Sequence, residues 1–180
     1  MKIAIYLGSF NPFHVGHFAV VFKAIRNFKV DKVIVVPTMQ NPWKTENPIS
    51  IDDRIKIIEE TMKLGNSWLG SYVDGRYIID DIEKSLIPPY YSYATLHALK
   101  NKYCNDEIFI LCGEDTIEDI PNWMHGGEIL KDYNFLICDR TEQSSTEIRN
   151  KVKNGESIRG LVNDNVIKTI EYLYGKSNLS

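Results

Sequence analysis

The sequence predicts an α/β fold in which helices cover a parallel sheet. Three observations carry this expectation. Short apolar runs end at Gly or Pro and read as buried strands, and stretches of helical period follow them. The two types alternate from the first residues, and strand–helix–strand–helix order implies parallel pairing with right-handed crossovers. The 180 residues, with no internal repeat, linker or low-complexity segment, fit a single domain.

The elements follow in order. Lys2–Leu7 is the first strand, ended by Gly8, and Phe18, Val21, Phe22, Ile25 and Phe28 recur at helical spacing after it. Lys32–Val36 is the second strand, closed by Pro37. Ser50 and Asp53 have the form of an N-cap and capping box, and Ile51, Ile55, Ile58 and Met62 make one helical face. Trp68–Val73 reads as a strand, whereas Ile78–Leu86 is compatible with either type. Pro88-Pro89 breaks the chain before a helix over Ser92–Tyr103. Glu107–Cys112 and Tyr133–Cys138 are strands, and helices over Thr146–Lys153 and Asn163–Tyr174 finish the chain.

Composition narrows the function. A net charge of −3 gives no general attraction to nucleic acid or membranes, so any polyanion must be gripped locally. The first residues run into a Gly turn too soon for a signal segment, and no apolar run approaches the roughly 18 residues of a membrane helix. Cys104, Cys112 and Cys138 lack metal-ligand spacing and read as reduced packing residues of a cytoplasmic protein.

The most informative stretch is Gly8-Ser9-Phe10-Asn11-Pro12-Phe13-His14-Val15-Gly16-His17. It lies beyond the carboxyl end of the first strand, where open α/β sheets bind ligands. Gly8 permits a sharp turn and close approach, and Gly16 leaves room above a helix start whose free N–H groups favour anions. His14 and His17, three apart, share one helical face. One histidine here is more often a surface or turn-capping residue, but two behind a Gly turn favour phosphate binding. Neither a Gly-Lys-Ser/Thr loop nor G-x-G-x-x-G is present. Ser144-Ser145-Thr146-Glu147-Ile148-Arg149 is a second helix start, where hydroxyl side chains cap and free N–H groups can also meet an oxyanion; alone it reads as a capped helix with a surface Arg, but paired with the first stretch it makes Arg149 a candidate fork for phosphate.

The first stretch resembles the signature of the nucleotidylyltransferase superfamily. Ser-Ser-Thr-x-Ile-Arg resembles the second signature of the nicotinate-mononucleotide adenylyltransferases. The resemblance continues in Val36–Lys44, which ends in Pro-x-Lys, in Arg54, in Tyr91–Leu96, in Gly113-Glu114-Asp115, in Pro121-Asn122-Trp123 and in Ser157–Val162. It departs at Asn11, Trp43 and Ala94, and in the short Thr141–Gln143 segment where family members carry a longer stretch with a final strand.

The resemblance implies a Rossmann-like doubly wound sheet with C-terminal helices. It also implies transfer of AMP from ATP to nicotinate mononucleotide in NAD biosynthesis, with pyrophosphate released. His14, His17, Lys44 and Arg149 would be the catalytic set. Gly8, Ser9, Phe10, Gly16, Tyr91, Ser92, Gly113, Asp115, Trp123, Ser144, Ser145 and Thr146 would bind substrates. Within that set Trp123 would stack on the pyridine ring, backbone N–H groups near Tyr91-Ser92 would meet its carboxylate, and Asp115 would accept from a ribose. Mg²⁺ would arrive with ATP rather than in a protein metal site. Nucleic acid and membranes are not expected partners, and a homo-oligomer is compatible with the family. The alternatives are nicotinamide mononucleotide or phosphopantetheine as acceptor, or a nucleotide-binding regulator without turnover.

Overall fold

The structure, a computed structural model, describes residues 1–40, 49–63, 68–139 and 142–175. Five parallel strands form one sheet in the order β3-β2-β1-β4-β5, namely Lys2–Gly8 (β1), Lys32–Pro37 (β2), Tyr77–Ile79 (β3), Glu107–Gly113 (β4) and Asn134–Cys138 (β5). Successive strands step from β1 to β3 on one side, then β4 and β5 continue on the other. That reversal, between β1 and β4, opens a crevice at the carboxyl ends of both strands.

The period of the strands decides what covers each face. Ala4, Val33, Val35, Leu111 and Cys138 belong to one core with helices α1 (Val15–Arg26), α2 (Ile51–Met62) and α3 (Trp68–Val73). The C-terminal helices α7 (Ser145–Lys153) and α8 (Ile167–Gly175) join that face through Ile148, Val152, Ile170 and Tyr174. Ile3, Ile5, Ile34, Val36 and Ile110 point the other way, onto α4 (Ser92–Lys102) and α6 (Gly126–Asp132). A short α5 (Glu114–Asp119) precedes α6. Strand positions that alternate between two buried cores are what a doubly wound sheet requires.

The expected strands over Lys2–Leu7, Lys32–Val36, Glu107–Cys112 and Tyr133–Cys138 are present within one residue at each end. Trp68–Val73 is a correction: it is helical. Trp68 and Tyr72, four apart, lie 5.7 Å from each other and both pack on Phe22 of α1, a contact only helical spacing gives. The open 78–86 stretch divides, with β3 first and a 3₁₀ turn at Ile82–Ser85 after Asp80 accepts the Ile82 N–H at 3.1 Å. Ser50 caps α2 as expected, accepting from the Asp53 N–H at 3.0 Å. The Asp53 carboxylate closes on the Ser50 hydroxyl at 2.7 Å instead of completing a capping box.

Thr61 of α2 is buried, and its hydroxyl has no hydrogen-bond partner among the described residues. An orphaned buried hydroxyl costs about 1–3 kcal/mol. Thr61→Val keeps the shape and removes the penalty, so it should raise unfolding free energy by about 1 kcal/mol. A urea midpoint equal to or below that of the wild type would refute this.

Candidate active site

At the crevice, β1 and β2 end in loops that are tied together by one buried cation. Arg54, only 1% exposed, donates to the carbonyls of Ser9 (2.6 Å), Thr38 (2.7 Å), Met39 (3.3 Å) and Ile49 (3.1 Å). Thr38 also donates its N–H to the Gly8 carbonyl at 3.0 Å. Glu83 is fully buried on the other side of Met39, accepting the Met39 N–H at 2.6 Å and the Thr95 hydroxyl of α4 at 2.7 Å. Burial raises the Glu83 pKa, while the two hydrogen bonds and Arg54 oppose the rise. Arg54 and Glu83 thus fix the loops after β1 and β2 to each other and to the start of α4.

A cavity of about 730 Å³ opens between these elements. Its walls include Gly8 and Ser9, Thr38 and Gln40, Tyr90, Tyr91 and Ser92 before and in α4, and Thr116, Asp119, Asn122 and Trp123 after β4. The Ser92 and Tyr93 N–H groups at the start of α4 make no hydrogen bond among the described residues. Trp123 is aimed by Asp119, whose Oδ2 accepts its indole N–H at 2.9 Å. Gly126 is needed behind this turn, because a Cβ there would run into the Ile120 carbonyl.

Beside the cavity lies the helix start predicted to hold phosphate. His14 is the N-cap of α1 and its Nδ1 accepts the Gly16 N–H at 3.1 Å. His17, three residues on, accepts the His14 N–H on its own Nδ1 at 3.3 Å, so two imidazoles form a reciprocal capping box. The rings stack with centroids 3.7 Å apart. Because each Nδ1 is an acceptor, each neutral ring carries its proton on Nε2. Burial pushes the His14 pKa down to about 4, and burial with the neighbouring His14 holds His17 well below 6.5. Both are therefore neutral donors at neutral pH.

The Phe10 side chain, one of the expected substrate-binding residues, packs in the core with its backbone at φ +46° and its ring edge-on to Tyr6, Phe13 and His17. Its ring folds back under Gly8, where a Cβ would lie 2.7 Å from it. Any contact it makes with a ligand comes from its backbone. Gly16 is buried in the first turn of α1. Ser144 caps α7 by accepting from Glu147, and Ser145 donates to the Pro12 carbonyl at 2.9 Å. Arg149 is fixed by the Asn11 carbonyl at 2.8 Å and the Thr146 hydroxyl at 3.3 Å. Tyr174 of α8 donates to the Asn11 side chain at 2.5 Å. The second predicted helix start is thus docked on the first loop.

Gly113 ends β4, and Asp115 is exposed next to it, its carboxylate accepting the Thr116 N–H. Neither lines the cavity, which Thr116 and Asp119 of the same turn do. Lys44 lies outside the described residues. Sequence reasoning missed Thr116, Asp119, Asn122 and Glu83. The first two precede Trp123 by seven and four residues, a helical spacing that would have found them. No group of three His, Cys, Asp or Glu able to hold a metal occurs among the described residues.

A parallel sheet with a cavity at its reversal and capped helix starts beside it defines an α/β nucleotide-site architecture. Comparison with known proteins gives the class. The family profile described as Cytidylyltransferase-like matches residues 5–172. The "Probable nicotinate-nucleotide adenylyltransferase" of Fusobacterium nucleatum is 34% identical, over 97% of this chain and 99% of that one. The protein of the same name from Cytophaga hutchinsonii is 30% identical, over 94% and 95%. Plasmodium falciparum nicotinic acid mononucleotide adenylyltransferase complexed with NaAD shares the fold with a TM-score of 0.76 at 20% identity, over 96% and 97%. The chain belongs to the cytidylyltransferase-like nucleotidyltransferases, and within them to the nicotinate-nucleotide adenylyltransferase family.

The neutral histidines give stability a pH signature. In the unfolded chain an imidazole takes up its proton near pH 6.5, in the fold only far lower. Between those values the unfolded state binds more protons, so stability falls as pH drops from about 6.5 towards 4. The His14→Asn, His17→Gln double variant keeps both capping acceptors without titrating. Its urea midpoint should fall less than that of the wild type over this window. Equal falls would show that the pair contributes nothing to the acid limb.

Proposed function

We propose that this protein transfers the adenylyl group of ATP to nicotinate mononucleotide, giving nicotinate adenine dinucleotide and pyrophosphate, as one nucleotidylyltransferase domain in the cytoplasm. The observation that carries the reading is the stacked His14–His17 pair. Its Nδ1 atoms are used up in capping α1, so both Nε2–H donors remain for an anion at the helix start. Family membership and the names of the relatives support the same reaction.

In this reaction the 5′-phosphate of the acceptor attacks the α-phosphorus of ATP in line. A new P–O bond forms there as the bond to the β-phosphate oxygen breaks, and pyrophosphate leaves with the electron pair. A phosphate is nucleophilic enough at neutral pH that no side-chain base is required. The protein supplies position and charge stabilisation. His14 and His17 donate to phosphate oxygens as neutral imidazoles, and Arg149, held in place by Asn11 and Thr146, adds a fixed cation. By resemblance to the family's Pro-x-Lys element, Lys44 would add a second cation. The donor chemistry at α1 and α7 suits polyphosphate, and Mg²⁺, which binds few protein carboxylates, would reach the site on the ATP oxygens and neutralise their charge. Across the cavity, the indole of Trp123 suits a flat pyridine ring, and the N–H groups at the start of α4, that of Ser92 in the cavity wall and that of Tyr93 next to it, unbonded among the described residues, suit its carboxylate.

Pyrophosphate release with ATP and a panel of acceptors tests the reading. Faster turnover with phosphopantetheine or a sugar phosphate than with either pyridine mononucleotide would overturn it. Replacing His17 with Ala should lower kcat by about 10²-fold or more while acceptor KM moves little, the scale of a lost preorganised donor. His17→Gln restores the capping contact and should recover stability but not kcat. A His17→Ala enzyme with near-normal kcat would leave this side chain with capping alone.

Acceptor choice follows from the N–H donors at α4. They pair with both oxygens of a ring carboxylate, whereas an amide would turn its NH₂ against one of them. Mismatched polar contacts of this kind discriminate strongly, so kcat/KM for nicotinate mononucleotide should exceed that for the nicotinamide analogue by about 10²-fold or more. A ratio near one, at equal ATP and Mg²⁺, would sink the preference and leave adenylyl transfer intact.

A further inference from the structure

Asp119 ends α5, and a 3₁₀ turn at Ile120–Asn122 carries the chain from it to Trp123. Pro121 stiffens that turn, and the Trp123 N–H returns to the Ile120 carbonyl at 2.9 Å. The Asp119 carboxylate then accepts from two side chains at once, the Trp123 indole N–H on Oδ2 at 2.9 Å and the Asn122 amide on Oδ1 at 3.4 Å. All three side chains line the cavity. Asp119 itself is exposed, so its contacts add little to the core. A carboxylate held against the indole edge has two physical effects. It fixes which way the ring face points, and it feeds electron density into the π-system from the N–H side. Both matter to a ligand that is flat and positively charged.

We propose that Asp119 is a positioning residue for the acceptor, orienting the Trp123 indole and strengthening its attraction for a cationic pyridinium ring. The inference rests on the adenylyl-transfer reading and deepens it. A pyridine bound to ribose through its nitrogen carries a permanent positive charge, whether its substituent is a carboxylate or an amide. A cation over an indole face is the strongest of the cation–π pairs, and its strength follows the electron density of the ring. Asp119 therefore acts on what the two acceptors share, while the α4 N–H groups act on what distinguishes them. Its removal should weaken both acceptors by the same factor and leave their ratio unchanged. A carboxylate that merely repelled the nicotinate group would move the two in opposite directions.

The test is steady-state kinetics of Asp119→Ala and Asp119→Asn with ATP and each mononucleotide, together with quenching of tryptophan fluorescence by nicotinate mononucleotide. Asp119→Ala should raise acceptor KM about tenfold for both mononucleotides, the scale of one cation–π contact. ATP KM and kcat should stay within about twofold of the wild type, a split that general destabilisation would not produce. Asp119→Asn keeps an oxygen for the indole N–H but loses the charge, so its KM should fall between the two. Quenching should disappear in Trp123→Phe and need about tenfold more ligand in Asp119→Ala. An unshifted acceptor KM in Asp119→Ala overturns the inference, as does an equal shift in ATP KM. Asp119→Asn matching the wild type removes the role of charge; matching Ala, it removes the role of orientation. Wild-type protein that turns over neither mononucleotide sinks the adenylyl-transfer reading itself, a result separate from all of these.

Discussion

The site depends first on the guanidinium of Arg54. Four backbone carbonyls from three separate segments converge on it. Burying a cation is expensive unless every donor is used and an opposite charge is near. Glu83 supplies that charge across one peptide unit, since Arg54 donates to the Thr38 carbonyl and Glu83 accepts the Met39 N–H of the same peptide. The same carboxylate reaches the Thr95 hydroxyl of α4. These two buried side chains, joined through one peptide, therefore set the spacing between the loop after β1, the loop after β2 and the helix whose start lines the cavity. Removing either would leave buried polar groups without their partners, which is why both are needed although neither lines the cavity.

In the histidine pair, capping occupies one edge of each ring and leaves the other. Capping and the proposed phosphate binding look like rival explanations for a histidine in this place, but they would use different edges of the ring. Nδ1 satisfies a backbone N–H that the helix leaves over, and in doing so it decides the tautomer. Nε2 is left to carry the proton. Burial keeps the rings uncharged, so in the proposed reaction they would offer an anion directed hydrogen bonding, and net positive charge would come from elsewhere. Arg149 of α7, fixed on the Asn11 carbonyl of the same loop, is the proposed source.

The strands were legible in the sequence because their signal is local. Apolar runs closed by Gly8, Pro37 and Gly113 have one reading when buried on both faces. The helix starts at Ser50 and Ser144 were legible for the same reason, a hydroxyl followed three residues on by an N–H that needs it. Trp68–Val73 reads as a strand in sequence because six residues with aromatic or aliphatic side chains at both ends fit a strand as well as one and a half helical turns. Its contact with Phe22 of α1, far away in the chain, decided between them. The importance of Glu83 was illegible because its partners are a backbone N–H 44 residues before it and a hydroxyl 12 after it. That the Phe10 ring packs in the core was not legible either: its positive φ turns the ring inward from the loop after β1, which spacing alone does not reveal.

The two cores also divide the chemistry. His14, His17, Ser144 and Arg149 are carried by α1 and α7, which pack on the face of Ala4 and Val35. Tyr91, Ser92, Asp119 and Trp123 come from α4 and the α5 turn, packed on the opposite face with Ile3 and Ile5. The groups suited to phosphate and those suited to a flat ring thus stand on different sides of the sheet. They meet only where β1 ends, at Gly8 and Ser9. Those two residues line the cavity, receive the brace from Thr38 and Arg54, and lead into the histidine loop. An in-line displacement requires two bound groups to approach along one axis. A sheet that presents one set of side chains from each face, with a braced turn between them, suits that requirement. In the proposed reaction, side chains on one face could then change acceptor specificity while the groups proposed for phosphate on the other stay as they are.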